Sequence, residues 1–127
     1  MGEIVQQESN TNFERFGLRA PTVRPKVPFG AQTVADVLEQ PLRDGPNREA
    51  LVDRNGRYSY AELDAAVNAA SHALVNFGIC AGDRIAASSF NSADLIIAFL
   101  ASQRIGAVWV GMNRVLAPRG KLYLLRD

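Results

Sequence analysis

Residues 84–110 read Arg84-Ile85-Ala86-Ala87-Ser88-Ser89-Phe90-Asn91-Ser92-Ala93-Asp94-Leu95-Ile96-Ile97-Ala98-Phe99-Leu100-Ala101-Ser102-Gln103-Arg104-Ile105-Gly106-Ala107-Val108-Trp109-Val110. Arg84 to Ser88 follows a Gly82-Asp83 turn and predicts a buried strand. Asn91 or Ser92 caps a helix in which Leu95, Ile96, Ile97, Phe99 and Leu100 leave almost no polar face, so it is expected to be covered on most sides by a larger body. Gly106 closes that helix, and Ala107 to Val110 form a second apolar strand. Strand, helix, strand is a βαβ unit, which is expected to be parallel and right-handed. The fold class is therefore α/β.

Upstream lies a sharply defined helix, Tyr60 to Phe77. Ser59 followed by Glu62 is a capping box, in which each side chain satisfies an orphan amide of the first turn. Leu63, Ala66, Val67, Ala70, Leu74 and Phe77 recur at helical spacing and form one apolar stripe. Gly78 supplies the left-handed position after the helix, and Ile79 folds back on the last turn. Before it, Ala50 to Asp53 and Arg57 to Ser59 flank Asn55-Gly56, a hairpin signal because both turn residues tolerate positive φ. Thr33 caps a short helix through Leu38, with Asp36 in its first turn; Pro41 and Gly45-Pro46 are expected to end it. Downstream, Pro118 opens a helix that Leu122 and Leu125 carry to the last residue.

Residues 1–32 differ from the rest. Pro21, Pro25 and Pro28 withhold backbone donors and bias their predecessors away from helix, so this stretch reads as an extended arm. Arg15, Arg19, Arg24 and Lys26 make it mildly basic, and a solvated leader is preferred over a docking strand. The expected division is an arm over 1–32 and an incomplete α/β domain over 33–127.

Composition narrows the function classes. Hydrophobic residues make up 47% and charged residues 21% of 127, which is ordinary globular usage. The net charge of +1 offers no strong field for nucleic acid or an anionic membrane. Twelve of the fourteen basic residues are arginine, but they are scattered along the chain. Cys80 is the single cysteine, so no internal disulfide forms, which suits a reducing compartment. The N-terminus has no basic start followed by an apolar core, and Leu95 to Ala101 is too short to span a bilayer. A cytoplasmic location is the expectation.

Each motif that could carry chemistry also has a structural reading. Gly120-Lys121 is followed by Leu122 and has no glycine at Walker spacing; Gly78, Gly82, Gly106 and Gly111 match no dinucleotide fingerprint. One histidine, one cysteine and scattered carboxylates make no metal set. His72 lies opposite the apolar stripe and reads as solvent-facing. Cys80 follows a helix end, so no N-terminal dipole lowers its pKa. Glu62 is explained by capping, and Asp64 points elsewhere. Asp53 and Asp83 sit at turns, where such residues are common. Trp109 reads as core packing. No catalytic, cofactor-binding or metal residue is assigned.

Taken in order, several blocks resemble one family. Tyr58-Ser59-Tyr60-Ala61-Glu62-Leu63 is similar to the early (T/S)-Y-x-E-L motif of the adenylate-forming superfamily. These are the acyl- and aryl-CoA synthetases, luciferases and nonribosomal adenylation domains. Gly82-Asp83-Arg84-Ile85-Ala86 with Asn91-Ser92 resembles its G-D-R-V-A … N-S block. Leu100-Ala101, Ile105 to Val110 and Asn113 resemble the next block, and Leu116-Ala117-Pro118-Arg119 through Asp127 the helix that follows. Gly111 and Phe90 stand where the family usually has proline, and Gly120 where it has an acidic residue. Val108-Trp109-Val110 ending on Asn113 is closer to the CoA synthetases than to the peptide synthetases.

The resemblance implies the N-terminal segment of an AMP-binding acyl-CoA synthetase, with part of a doubly wound parallel sheet preceded by the arm and hairpin. It implies a ligase of acyl-CoA and fatty acid metabolism that joins a carboxylic acid to CoA, with ATP, Mg²⁺ and CoA serving the full-length enzyme. The family's phosphate loop, metal motif, ribose-binding Asp and mobile lysine are expected beyond Asp127. The chain alone is therefore expected to be inactive and to bind none of these strongly, with the remainder of the synthetase as its partner. The alternative is a stand-alone, non-catalytic interaction module on the same scaffold.

Overall fold

The structure is a computed structural model that describes residues 32–126. The arm expected over 1–32 lies, apart from Gln32, outside the described residues. A 3₁₀ turn, Val34–Asp36, leads into α1 (Glu39–Asp44). The hairpin β1 (Glu49–Asp53) and β2 (Gly56–Ser59) follows, then α2 (Tyr60–Asn76), β3 (Arg84–Ala87), α3 (Ala93–Arg104), β4 (Val108–Gly111) and α4 (Pro118–Arg126).

The first turn forms as the sequence predicts, but the helix after it does not stop at proline. Asp36 Oδ2 accepts from the Thr33 backbone N–H at 2.9 Å and from Thr33 Oγ1 at 3.0 Å. Pro41 sits inside the first turn of α1 instead of ending a helix. Amides there have no intrahelical partner, so a missing N–H costs nothing. The hairpin also differs in detail. Asp53 pairs with Gly56, so the turn residues are Arg54 and Asn55, and Gly56 opens β2 without positive φ. Asp53 Oδ1 closes that turn by accepting from Asn55 N at 2.7 Å and Gly56 N at 3.1 Å.

α2 has both predicted ends. Ser59 N and Oγ each donate to Glu62 Oε2 at 2.8 Å, and Glu62 N donates back to Ser59 Oγ at 3.3 Å. At the other end Gly78 takes φ +89°, Gly78 N reaches Val75 O at 2.9 Å and Ile79 N reaches Leu74 O at 3.1 Å. That pair of bonds is a Schellman motif. Phe77, expected on the apolar stripe, is 85% exposed. It is the C-cap, one residue past the end of α2, and the described core around Leu63 and Val67 does not extend over it.

The core lies between α2 and α3, with α1 and the hairpin against it. Val67 and Ala101 are fully buried, joined by Leu38, Leu63 and Leu100. Burying a side chain such as Val67 contributes about 1.5–3 kcal/mol. Small residues let the two helices approach: Ser71 Oγ donates to Val67 O at 2.8 Å, and Ala101 O lies 3.5 Å from the same hydroxyl. Beside the core, Arg104 Nη2 pairs with Asp64 Oδ1 at 2.8 Å, and Nη1 donates to Asn68 Oδ1 at 2.7 Å.

β3 and β4 pair in parallel, with Ile85 opposite Trp109 and Ala87 opposite Gly111. The βαβ unit is therefore present. α3 is covered less fully than its composition predicts: Ala93, Leu100, Ala101 and Ser102 are buried, but Ile96 is 40% exposed. Its uncovered flank borders the site described next.

Candidate functional site

Beyond the carboxyl ends of β3 and β4 lies a cleft of about 400 Å³. Its position follows from parallel strands, which deliver both chain exits to one edge of the sheet. Ala87 and Gly111, the last residues of β3 and β4, form the base. Phe99 and Trp109 form an apolar wall, their rings edge to face with centroids 5.6 Å apart at 76°. Leu95, Ile96 and Met112 extend that wall. Ser89, Asn91, Asn113 and Arg114 supply the polar rim. The Arg114 guanidinium stacks 3.9 Å above the Phe90 ring. Asn113 Oδ1 accepts from Val115 N at 3.0 Å, which fixes the loop carrying that rim.

The amino end of α3 points toward this cleft, yet its first amides already have partners. Ser92 Oγ accepts from Leu95 N at 3.3 Å, and Asp53 Oδ2 accepts from Ala93 N at 2.9 Å. The Ala93 bond is the largest cause that holds the Asp53 carboxyl below its ordinary range, followed by the Asn55 bond. A phosphate brought to the Ala93 amide would have to displace the Asp53 carboxylate, which lies outside the cleft lining. No carboxylate lines the cleft itself, and among the described residues no group of three His, Cys, Asp or Glu side chains is arranged to hold a metal.

The candidate side chains of the sequence are dispersed. His72 is exposed on α2. Cys80 is exposed, and its N–H donates to Asp83 Oδ2 at 2.7 Å, an interaction that shapes the turn before β3. Glu62 is held below its ordinary range by the Ser59 backbone N–H first and by the Ser59 hydroxyl second. Asp64 is engaged by Arg104. Lys121 Nζ donates to Arg114 O at 3.0 Å and so supports the rim loop from below. Trp109 alone reaches the cleft, as part of its wall. Sequence reasoning missed the rim residues Ser89 and Arg114 and the second task of Asp53; the doublet of Asn91 and Asn113 at strand exits was the available signal. The cleft holds an apolar wall, amides, a hydroxyl and one guanidinium. It can seat a group, but it has no base to activate a nucleophile.

Residues 38–127 match the model of the AMP-binding enzyme family. The 3-hydroxybenzoate--CoA/4-hydroxybenzoate--CoA ligase of Thauera aromatica is 38% identical over 93 residues, which is 72% of this chain and 18% of that protein. The putative acyl-CoA synthetase YngI of Bacillus subtilis is 34% identical over 97 residues, covering 75% of this chain and 18% of that protein. ATP-bound MatB from Rhodopseudomonas palustris superposes with a TM-score of 0.69 at 30% identity over 75% of this chain and 19% of MatB. The anthranilate CoA ligase AuaEII, in complex with anthranoyl-AMP, gives 0.70 at 27% identity over 75% and 18%. The chain spans less than a fifth of the length of each. With four ordered sequence blocks and a matching βαβ framework, the chain belongs to the AMP-binding enzyme family.

Proposed function

We propose that this chain is the N-terminal part of an AMP-dependent acyl-CoA synthetase and does no chemistry by itself. In the whole enzyme a carboxylate attacks the α-phosphorus of ATP, releasing pyrophosphate. The CoA thiolate then attacks the acyl carbon, and AMP leaves. The first step develops charge on phosphate oxygens that needs cations and aimed donors around it. This segment's contribution is the scaffold: residues 33–127 supply the first parallel strands and the helix packed on them, preceded by an arm over 1–32. A cytoplasmic enzyme using ATP, Mg²⁺ and CoA accords with this reading.

The observation that carries the proposal is the composition of the carboxyl-end cleft, which has neither a carboxylate nor a base on a family scaffold. ATP–pyrophosphate exchange tests it. The 127-residue chain is expected to show none with any carboxylic acid, and exchange above a no-enzyme control overturns the reading.

A non-catalytic interaction module is the second reading. It draws on one observation: among the described residues every buried side-chain polar atom has a hydrogen-bond partner. It requires a monomeric chain that melts cooperatively. Leu122, Tyr123 and Leu125, all exposed on α4, weigh against it.

A further inference from the structure

Trp109 and Gly111 stand two positions apart on β4, so they share the face of the sheet that α3 covers. A Cβ on Gly111 would lie 3.5 Å from Trp109 Nε1 and 4.0 Å from Cδ1, with nothing else within 4 Å. Because glycine has no such carbon, the nitrogen edge of the indole is bare at the base of the carboxyl-end cleft. Phe99 meets that ring edge to face, and among the described residues the indole N–H has no acceptor. A donor beside an apolar wall is a group that a bound molecule can satisfy.

The rim has the same excess of donors. Asn113 Oδ1 is occupied by the Val115 N–H, which leaves its amide NH₂ to face a ligand. The Arg114 guanidinium lies flat 3.9 Å above the Phe90 ring, so its in-plane N–H groups keep their edges free. Among the described residues no carboxylate pairs with it. Phe90 follows β3 and Arg114 follows β4, so the stack holds this cation between the two strand exits. Arg114 is also the only charged residue lining the cleft.

That inventory selects a ligand. A hydrocarbon would leave the donors at both ends unmet, and a polyanion would find a single cation. We propose that the cleft binds a small, flat monoanion whose apolar body carries an uncharged oxygen or nitrogen acceptor at its far end. Arg114 holds the anion at the rim, and Leu95, Ile96 and Phe99 cover the body. Trp109 Nε1 donates to the buried acceptor, and Gly111 sets specificity by leaving that donor uncovered. This goes beyond the scaffold role: the site belongs to the 127-residue chain itself.

The test titrates that chain with 4-acetylbenzoate, following the indole N–H resonance by NMR; Trp109 is the only tryptophan, so there is one such signal. Saturable binding with a downfield shift of that resonance is expected. 4-Isopropylbenzoate keeps the shape and charge without the acceptor, and should bind about 10-fold more weakly. Acetophenone keeps the acceptor without the charge, and should also lose about 10-fold. Gly111→Ala should bring 4-acetylbenzoate down to the level of 4-isopropylbenzoate. Its new carbon makes only ordinary contacts, so the fold is retained. Arg114→Gln should erase the preference over acetophenone. Equal binding of the acetyl and isopropyl compounds, or an indole signal unmoved at saturation, overturns the role of Trp109. A titration that never saturates overturns the site. The assay contains neither ATP nor CoA, so its failure leaves the synthetase reading standing, and failure of that reading leaves this one standing.

Discussion

The carboxylate of Asp53 accepts a hydrogen bond from the backbone N–H of Ala93 at 2.9 Å, across 40 positions of sequence. Its other oxygen holds the hairpin turn through Asn55 and Gly56. One side chain therefore ties the β1–β2 hairpin to the first turn of α3, and α3 carries the wall of the carboxyl-end cleft. A negative charge suits that helix end, where the dipole is positive and the first amides have no intrahelical partner.

This bond has a pH signature. The folded state holds Asp53 below its ordinary value of 3.8, so the unfolded chain takes up the proton first as pH falls. The stabilisation is complete above the unfolded value and is lost as pH drops through the folded one. Asp36 is lowered, chiefly by the Thr33 N–H, and Glu62 by the Ser59 N–H, so all three carboxylates have the same sign. Asp53→Asn is expected to lower the urea midpoint near neutral pH, with the gap to wild type narrowing below about pH 4. A gap independent of pH would refute the charge-based account.

The helix contact offers a paired comparison. Val67→Ala removes two buried methyl groups at a fully buried position, and about 2–3 kcal/mol should be lost from transfer and cavity terms together. Ser71→Ala, one turn away, deletes a hydroxyl bonded to its own helix's carbonyl, and about 1 kcal/mol or less is expected. Denaturant titrations of the two variants should rank them in that order.

Arg104 reaches from α3 to two residues of α2. Its ion pair with Asp64 is about a quarter exposed on each side, so screening keeps its worth near that of a surface pair. A double-mutant cycle of Arg104→Met with Asp64→Asn should return a coupling of about 0.5–1 kcal/mol, reduced in high salt. A coupling that salt leaves unchanged would point to packing instead of charge.

Two glycines separate backbone cost from crowding. Gly78 has φ +89° with open space where a Cβ would stand, so Gly78→Ala should cost about 1–2 kcal/mol from conformation alone. Gly106 has φ +74° and a Cβ there would meet Ala81 Cβ at 3.2 Å. Gly106→Ala should lower the melting temperature further than Gly78→Ala.

What could be read from sequence was whatever rests on neighbours within a turn or two. Ser59 with Glu62, and Gly78 with Ile79, announce both ends of α2 because each cap closes within a few residues. The βαβ unit was legible because the apolar runs of 84–88 and 107–110 bracket a helix of the right length. Pro41 was misread because proline ends helices and also begins them, and only the hydrogen-bond pattern distinguishes the two. Asp53 and Arg104 were not legible as links, since their partners lie 40 positions away and nothing local marks them. Ser71 reads as polar in the sequence but is buried, its hydroxyl spent on Val67 O. The cleft has no motif because it is made by strand exits coming together.

At the opposite edge of the sheet, Gly82 N donates to Gly106 O at 2.8 Å. The turns that enter β3 and β4 are thereby clasped, and Ala81 lies so close to Gly106 that a Cβ there would meet its own at 3.2 Å. The two strands begin from one rigid block and are free of each other's turns only where they leave. An inserted residue in either entry loop would have to be answered in the other. An insertion at either exit should therefore disturb the strand register less than one in an entry turn.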